Sequence, residues 1–369
     1  MHPLYVWTLS LTAILIMAIV GICTWPSTVL YTSDYAGKSA VTILKAPELD
    51  KRVYDQKMLA LAQVSTTTIA ALTYATTSGN TTLSSYTPES LASSTIGRWP
   101  TRVAYPKHGA ILPDRRIIAY YGNFYSKGMG VLGQYDEAEV LRKLREEVAA
   151  WNNADPSTPV LPAIDYIATT AQESPGKEGL YTLRMPDSQI DHALELAAKV
   201  DGIVILELQI GLSDLKRELL LLEKYLKMPQ VHLALDPEFA MHGNSAPGTV
   251  VGSFDAAEIN YASKYLAGLV DTYRLPPKVL IVHRFTEDMV TNYKKITPLP
   301  QVQIVMDMDG WGEPAKKKNT YNRVIAPQPV QFTGFKLFYK NDLKPPSTRL
   351  LTPAEVLELT PAPSFIQYQ

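Results

Sequence analysis

The sequence predicts an α/β fold: a (β/α)8 TIM-barrel-like domain preceded by a transmembrane helix and a low-complexity stalk. Three observations carry this expectation. Apolar, β-rich runs alternate with helical patterns eight times over about 250 C-terminal residues. Each run is nearly continuous in its apolar character, as strands of a parallel sheet covered on both faces must be. No glycine-rich phosphate turn follows the first strand: Gly122–Gly130 reads GNFYSKGMG, whereas an open doubly wound sheet would more often carry such a turn.

Strands are expected at Arg116–Gly122, Val160–Ala168, Gly202–Gly211 and Val231–Phe239. The later ones are Lys278–Phe285, Val302–Gly310, Phe332–Tyr339 and Phe365–Gln369. Helical patterns fill the gaps at Asp136–Asn152, Asp187–Val200, Ser213–Lys227 and Asp255–Tyr273, and Thr352–Leu359 precedes the last strand. Asp136 and Asp255 stand where N-caps belong, and Ser213 or Asp214 can cap the third helix.

The chain ahead of this domain differs in kind. Pro3–Trp25 carries no charged residue and is about as long as the ~20 residues needed to cross a bilayer core. Tyr5, Trp7 and Trp25 flank it as an aromatic belt would. A cleaved signal peptide would have a charged start and a small-residue cleavage site, and neither is present. Residues 64–97 are rich in Ser, Thr and Ala with almost no charge, the composition of a stalk or linker. A sequon stands at Asn80-Thr81-Thr82, and residues 39–63 can form one short helix. The expected organisation is an anchor at 1–25, a Ser/Thr-rich stalk at 26–100 and a barrel at 101–369. No Lys or Arg precedes the apolar run, so the stalk decides the orientation: single-pass, with the C-terminal domain outside the cytoplasm.

Net charge is −1, which argues for no nucleic-acid partner; the expected partners are a glycan and, through the N-terminal helix, the lipid bilayer. The run Lys316-Lys317-Lys318 reads as a solvated loop. Cys23 is the only cysteine, so neither a disulfide framework nor a cysteine metal site is available, and no cofactor is expected.

In a barrel of this kind the chemistry sits at the C-terminal ends of the strands. Asp165, Glu207, Gln209, Asp236, Glu238, His283, Arg284, Asp307, Asp309, Trp311 and Lys336 all fall at such ends, on successive strands. Burying so many charges without partners or a task would be costly. In ALDPEF, Asp236 and Glu238 share a face if the strand continues, with Ala234 lining the interior. Two neighbouring carboxylates resist ionising together, so one keeps a proton near neutrality, as a glycosidase acid must. MDMDGW repeats the pattern with Asp307 and Asp309, and Trp311 could stack on a sugar.

YYGNF on the first strand, DPE on the fourth and MDMD on the sixth together resemble the chitinase-like family of TIM-barrel glycoside hydrolases. The resemblance covers these strand ends only. It implies Glu238 as general acid, Asp236 as the group orienting an N-acetyl substituent, and Asp309 or Asp307 helping to hold it.

Other readings stay open. His283 and Arg284 could bind an anionic sugar, or Arg284 could pair with an acid. Asp236, Glu238, His283 and Asp307 have ligand types for a divalent cation, without a His-x-His or HExxH pattern. His232 reads as a packed histidine, and His242 as substrate contact or loop surface. Tyr121, with Tyr120, Phe124 and Tyr125, could form an aromatic platform. The enzyme expected is a membrane-anchored glycosidase. The competing expectation is a non-catalytic carbohydrate- or protein-binding ectodomain on the same scaffold.

Overall fold

The computed structural model describes residues 49–63 and 99–369. All eight expected strands form: β1 (Arg116–Gly122), β2 (Val160–Ala171), β3 (Ile203–Leu208), β4 (Val231–Leu235), β5 (Lys278–Arg284), β6 (Val302–Met308), β7 (Phe332–Leu337) and β8 (Phe365–Tyr368). Each runs parallel to its neighbour in chain order, and β1 closes the ring by pairing with both β2 and β8. The ring is a TIM barrel. Several strands stop earlier than their apolar runs suggest. At β4 the reason is local: Pro237 has no N–H for the ladder, and the Asp236 side chain accepts from the Glu238 N–H, turning Pro237–Phe239 into a short 3-10 helix.

The α-helices of five residues or more are α1 (Lys51–Leu61), α2 (Glu137–Ala154), α3 (Asp187–Ala198), α4 (Leu215–Leu221), α5 (Ala256–Tyr273), α6 (Pro314–Thr320) and α7 (Pro353–Leu357). Asp136, Asp214 and Asp255 cap α2, α4 and α5 as expected, and Asp255 completes a capping box with Glu258. The long third helix is interrupted at Leu222 and resumes as a single turn. The tri-lysine run is not a solvated loop. It forms part of α6, and Lys317 is buried against Asp342 at 2.9 Å because its neighbours in the helix face outward while it faces the barrel.

Period-2 alternation divides every strand into two faces. Tyr120, Ile164, Leu206, Leu233 and Val282 point outward and pack against the helices. The alternate residues point inward, and near the strand starts most are apolar: Ile117, Ala163, Ile205, Ala234 and Val305 fill the lower barrel. At Gly334 a Cβ would lie 2.4 Å from Asp307 Oδ1, so only glycine leaves room for that carboxylate inside the ring.

The helix expected within 39–63 belongs to this floor. Tyr54 and Met58 of α1 are buried in the lower-barrel cluster, beside Leu112, Phe332 and Phe365. Leu61 O accepts from Ala362 N at 2.7 Å, and Gln63 Nε2 donates to Leu357 O and Leu359 O at 3.0 Å. Both contacts lie just before β8, at the N-terminal end of the barrel. The expected anchor at 1–25 and the Ser/Thr-rich stretch 64–97 lie outside the described residues. Among the described residues no helix is long and apolar enough to cross a membrane.

Candidate functional site

Above the apolar floor the inward positions turn polar, in two tiers. The lower tier consists of Asp165 (β2), Glu207 (β3), His283 (β5), Asp307 (β6) and Gln367 (β8), all fully buried. His283 is its hub: Nδ1 lies 3.0 Å from Asp307 Oδ2, and Nε2 lies 3.1 Å from Glu207 Oε2. Tyr121 Oη donates to Glu207 Oε1 at 2.7 Å, Gln209 Nε2 donates to the same oxygen at 2.9 Å, and Gln367 Nε2 donates to Asp165 Oδ2 at 2.6 Å.

Burial opposes a charge on His283, but the hydrogen bond to Asp307 and the carboxylate of Glu207 beside its other ring nitrogen outweigh it and raise its pKa well above the ordinary value. Burial likewise opposes ionisation of Glu207. There the opposing pull of His283 and Lys336 wins, and its pKa falls below the usual value. Asp165 has the opposite outcome: burial and the charge on Glu207 push it up to about 8.

The upper tier faces a cavity of about 620 Å3 at the C-terminal ends of the strands. Asp236, Glu238, Asp309, Lys336, Tyr121 and Gln209 line it, and Trp311 stands at its rim, 46% exposed. Although β4 has already ended, the 3-10 turn that Asp236 caps still carries Glu238 to the cavity wall. Burial raises Glu238 to about 7, helped by the charge of Asp309 and opposed by Lys336. Asp236 is driven well above the usual carboxylate range by burial and by Glu207. Lys336 Nζ lies 3.2 Å from each Asp309 oxygen and 3.9 Å from the centre of the Tyr121 ring. Burial disfavours its charge, but Asp309, Glu207 and Asp236 together keep its pKa above the ordinary lysine value. The site therefore offers one carboxyl able to give or take a proton near neutrality, next to a carboxylate neutralised by an ammonium, under open space for a ligand.

Strand ends alone suggest a single rim, and several residues move off it. Asp165, Glu207, His283 and Asp307 lie beneath the cavity floor, one inward position too deep to touch a ligand in the cleft. Arg284 joins neither tier. It follows His283 directly, so alternation turns it to the opposite face, where Nε and Nη2 donate to Thr286 O at 3.3 Å and Glu287 O at 2.8 Å. It pairs with no acid of the site. His232 is buried in the lower barrel, its Nδ1 accepting from Val279 N at 2.9 Å. His242 is surface, held by Ser253 O at 2.7 Å. Of the aromatic platform only Tyr121 reaches the cavity. Tyr120 is packed against Tyr339 and Tyr368, Phe124 stacks on Tyr166, and Tyr125 is exposed.

Sequence reasoning missed Lys316 and Arg323, exposed cations on the cavity wall, and the apolar wall of Phe239, Phe285 and Phe338. The signal available was their position: Phe239, Phe285 and Phe338 follow strand ends, and Lys316 and Arg323 lie on the helical stretch after β6. Lys316 Nζ lies 4.8 Å from the Trp311 ring centre and Lys344 Nζ lies 4.9 Å from it. For a metal, donor atoms of Asp165, Glu207 and His283 converge within 4.8 Å of one another, a different set from the one the strand ends suggest.

No family model matches the chain. No curated relative matches it either. The chitinase-like resemblance thus rests on the strand-end residues alone. Among solved structures, a ruminal GH26 endo-β-1,4-mannanase is similar at 11% identity and a TM-score of 0.31, over 69% of this chain and 59% of that one. The chain thus spans about three fifths of that mannanase. A Bacillus subtilis mannanase is similar at 13% identity and a TM-score of 0.35, over 69% and 79% of the two chains. A glycerophosphoryl diester phosphodiesterase from Parabacteroides distasonis stands at 12% and 0.30, over 69% and 84%. Likeness at this level carries no argument about substrate or reaction, and what the protein does has to be read from its own site.

Proposed function

We propose that this chain is a glycosidase-like enzyme, held on a membrane by the apolar segment 3–25, that acts on an extracellular or cell-wall glycan. One observation carries the reading: Glu238, with its pKa raised to about 7, faces a cavity of about 620 Å3. A carboxyl in that state can protonate the leaving glycosidic oxygen and take the proton back from water afterwards. Asp236 holds the turn that presents Glu238. Asp309, kept beside Lys336, supplies negative charge near a developing oxocarbenium, and the half-exposed Trp311 stands at the rim where a sugar would enter.

The observation favouring a non-catalytic glycan-binding domain is that same Lys336–Asp309 pair, which neutralises the second cavity carboxylate. The decisive assay uses the full chain, because α1 forms part of the barrel floor. Wild type and Glu238→Gln are compared for turnover of amino-sugar oligomers, peptidoglycan and neutral polysaccharides. Cleavage by wild type that is absent from the variant sustains the enzyme reading. Saturable glycan binding without turnover by wild type replaces it with the binding reading.

A further inference from the structure

Beneath the cavity, three fully buried side chains turn donor atoms toward one another and leave them without hydrogen bonds: Asp165 Oδ1, Glu207 Oε2 and His283 Nε2. The last two are 3.1 Å apart, within ion-pair reach but without hydrogen-bond alignment. The other polar atom of each side chain is already engaged. Asp165 Oδ2 accepts from Gln367, Glu207 Oε1 accepts from Tyr121 and Gln209, and His283 Nδ1 meets Asp307 Oδ2 at 3.0 Å. Each residue is therefore oriented from behind and open in front. That is how ligands of a metal are arranged, with a carboxylate on the far nitrogen of the histidine fixing its tautomer.

We propose that Asp165, Glu207 and His283 form a binding site for a divalent transition cation, with zinc as its best fit. One imidazole nitrogen and two carboxylate oxygens make a donor set that zinc accepts readily. The donor atoms lie within 4.8 Å of one another. Ligands about 2.1 Å from a tetrahedral ion stand roughly 3.4 Å apart, so the cluster needs to contract by no more than about an ångström and a half. Charge points the same way. A dication takes the place of the proton on His283 Nε2 and supplies positive charge between Asp165 and Glu207 where water cannot. When bound, the ion locks Glu207 and, through it, Tyr121 and Gln209, the floor on which the cavity stands. Asp307 acts as a positioning residue for His283. The site is independent of whether Glu238 performs catalysis.

The test uses the full chain stripped with a chelator, then dialysed against zinc chloride, with bound zinc counted by elemental analysis. Wild type is expected to retain a single zinc per chain, and Asp165→Asn to bind it at least tenfold more weakly while keeping the wild-type circular dichroism. Should that variant fail to fold, X-ray absorption on zinc-loaded wild type decides: a shell of oxygens with one imidazole supports the site. Three results would overturn it: no zinc retained by wild type, unchanged affinity in folded Asp165→Asn, or a zinc shell without imidazole.

Discussion

The two polar tiers of the barrel interior are both built around carboxyls carried by the barrel strands, yet they do different work. In the lower tier Glu207, His283 and Asp307 are sealed from water and tied to one another, while Asp165, buried facing the like charge of Glu207, is pushed up to about 8. In the upper tier Asp236 and Glu238 meet a cavity and few partners, and their protons stay on to higher pH. One inward step along a strand separates the two. A charge with a complementary partner stabilises a packed interior, and a charge without one becomes a titrating group.

Breaking the lower tier should cost stability first. His283→Ala leaves Glu207 and Asp307 as unpaired buried carboxyls, and a loss of about 3–5 kcal/mol is expected by urea denaturation in metal-free buffer. A loss below about 1 kcal/mol would erase the distinction between the tiers. Glu238→Gln tests the opposite side. Turnover should drop by about 10²–10⁴-fold, as for a lost general acid, while the denaturation midpoint barely moves. Equal damage to both quantities would mean that the upper tier is structural as well.

Gly334→Ala sharpens the comparison from the packing side. Its new methyl group would press on Asp307 Oδ1 and would stand 2.9 Å from Phe365 Cδ1, and should cost about 1–3 kcal/mol. The smallest effect is a shift in pH profile. Glu238 works as an acid only when protonated, so activity should fall as pH rises through its pKa of about 7. Lys336 favours the ionised form, so Lys336→Met should raise that pKa and carry activity to higher pH. A profile that moves to lower pH, or not at all, would show that Lys336 does not act on Glu238.

Much of this was legible in the residues. The barrel strands announce themselves as apolar β-rich runs, and the helix starts carry their caps at Asp136, Asp214 and Asp255. Reading the polar and aromatic residues at strand ends was enough to single out Glu238, Asp236, Asp309, Lys336, Gln209, Tyr121 and Trp311, which line the cavity. Arg284 could have been excluded by alternation, since a residue adjacent to an inward His283 must face outward. The depth of Asp165 and Asp307 could not be read, because depth depends on the stagger of strands around the ring. The chitinase-like resemblance put Asp309 ahead of Asp307 as the group holding an N-acetyl substituent. Two positions along the same segment make Asp307 a buried partner of His283 and Asp309 a wall of the cavity.

Sequence alone determined the alternation of strands and helices, the caps, the strand-end position of the acids and the contrast between the barrel and the apolar, Ser/Thr-rich start of the chain. These follow from local periodicity and composition, which neighbours in sequence settle among themselves. Tertiary structure decided the rest: that α1 closes the floor, that Lys317 is buried against Asp342, and that acids on separate strands sort into two tiers. Gln367 reaches Asp165 across 202 residues of chain, and only closure of the ring brings them to 2.6 Å. Whether a carboxyl keeps its proton depends on such partners and on the water they exclude, and neither exists until the barrel has closed.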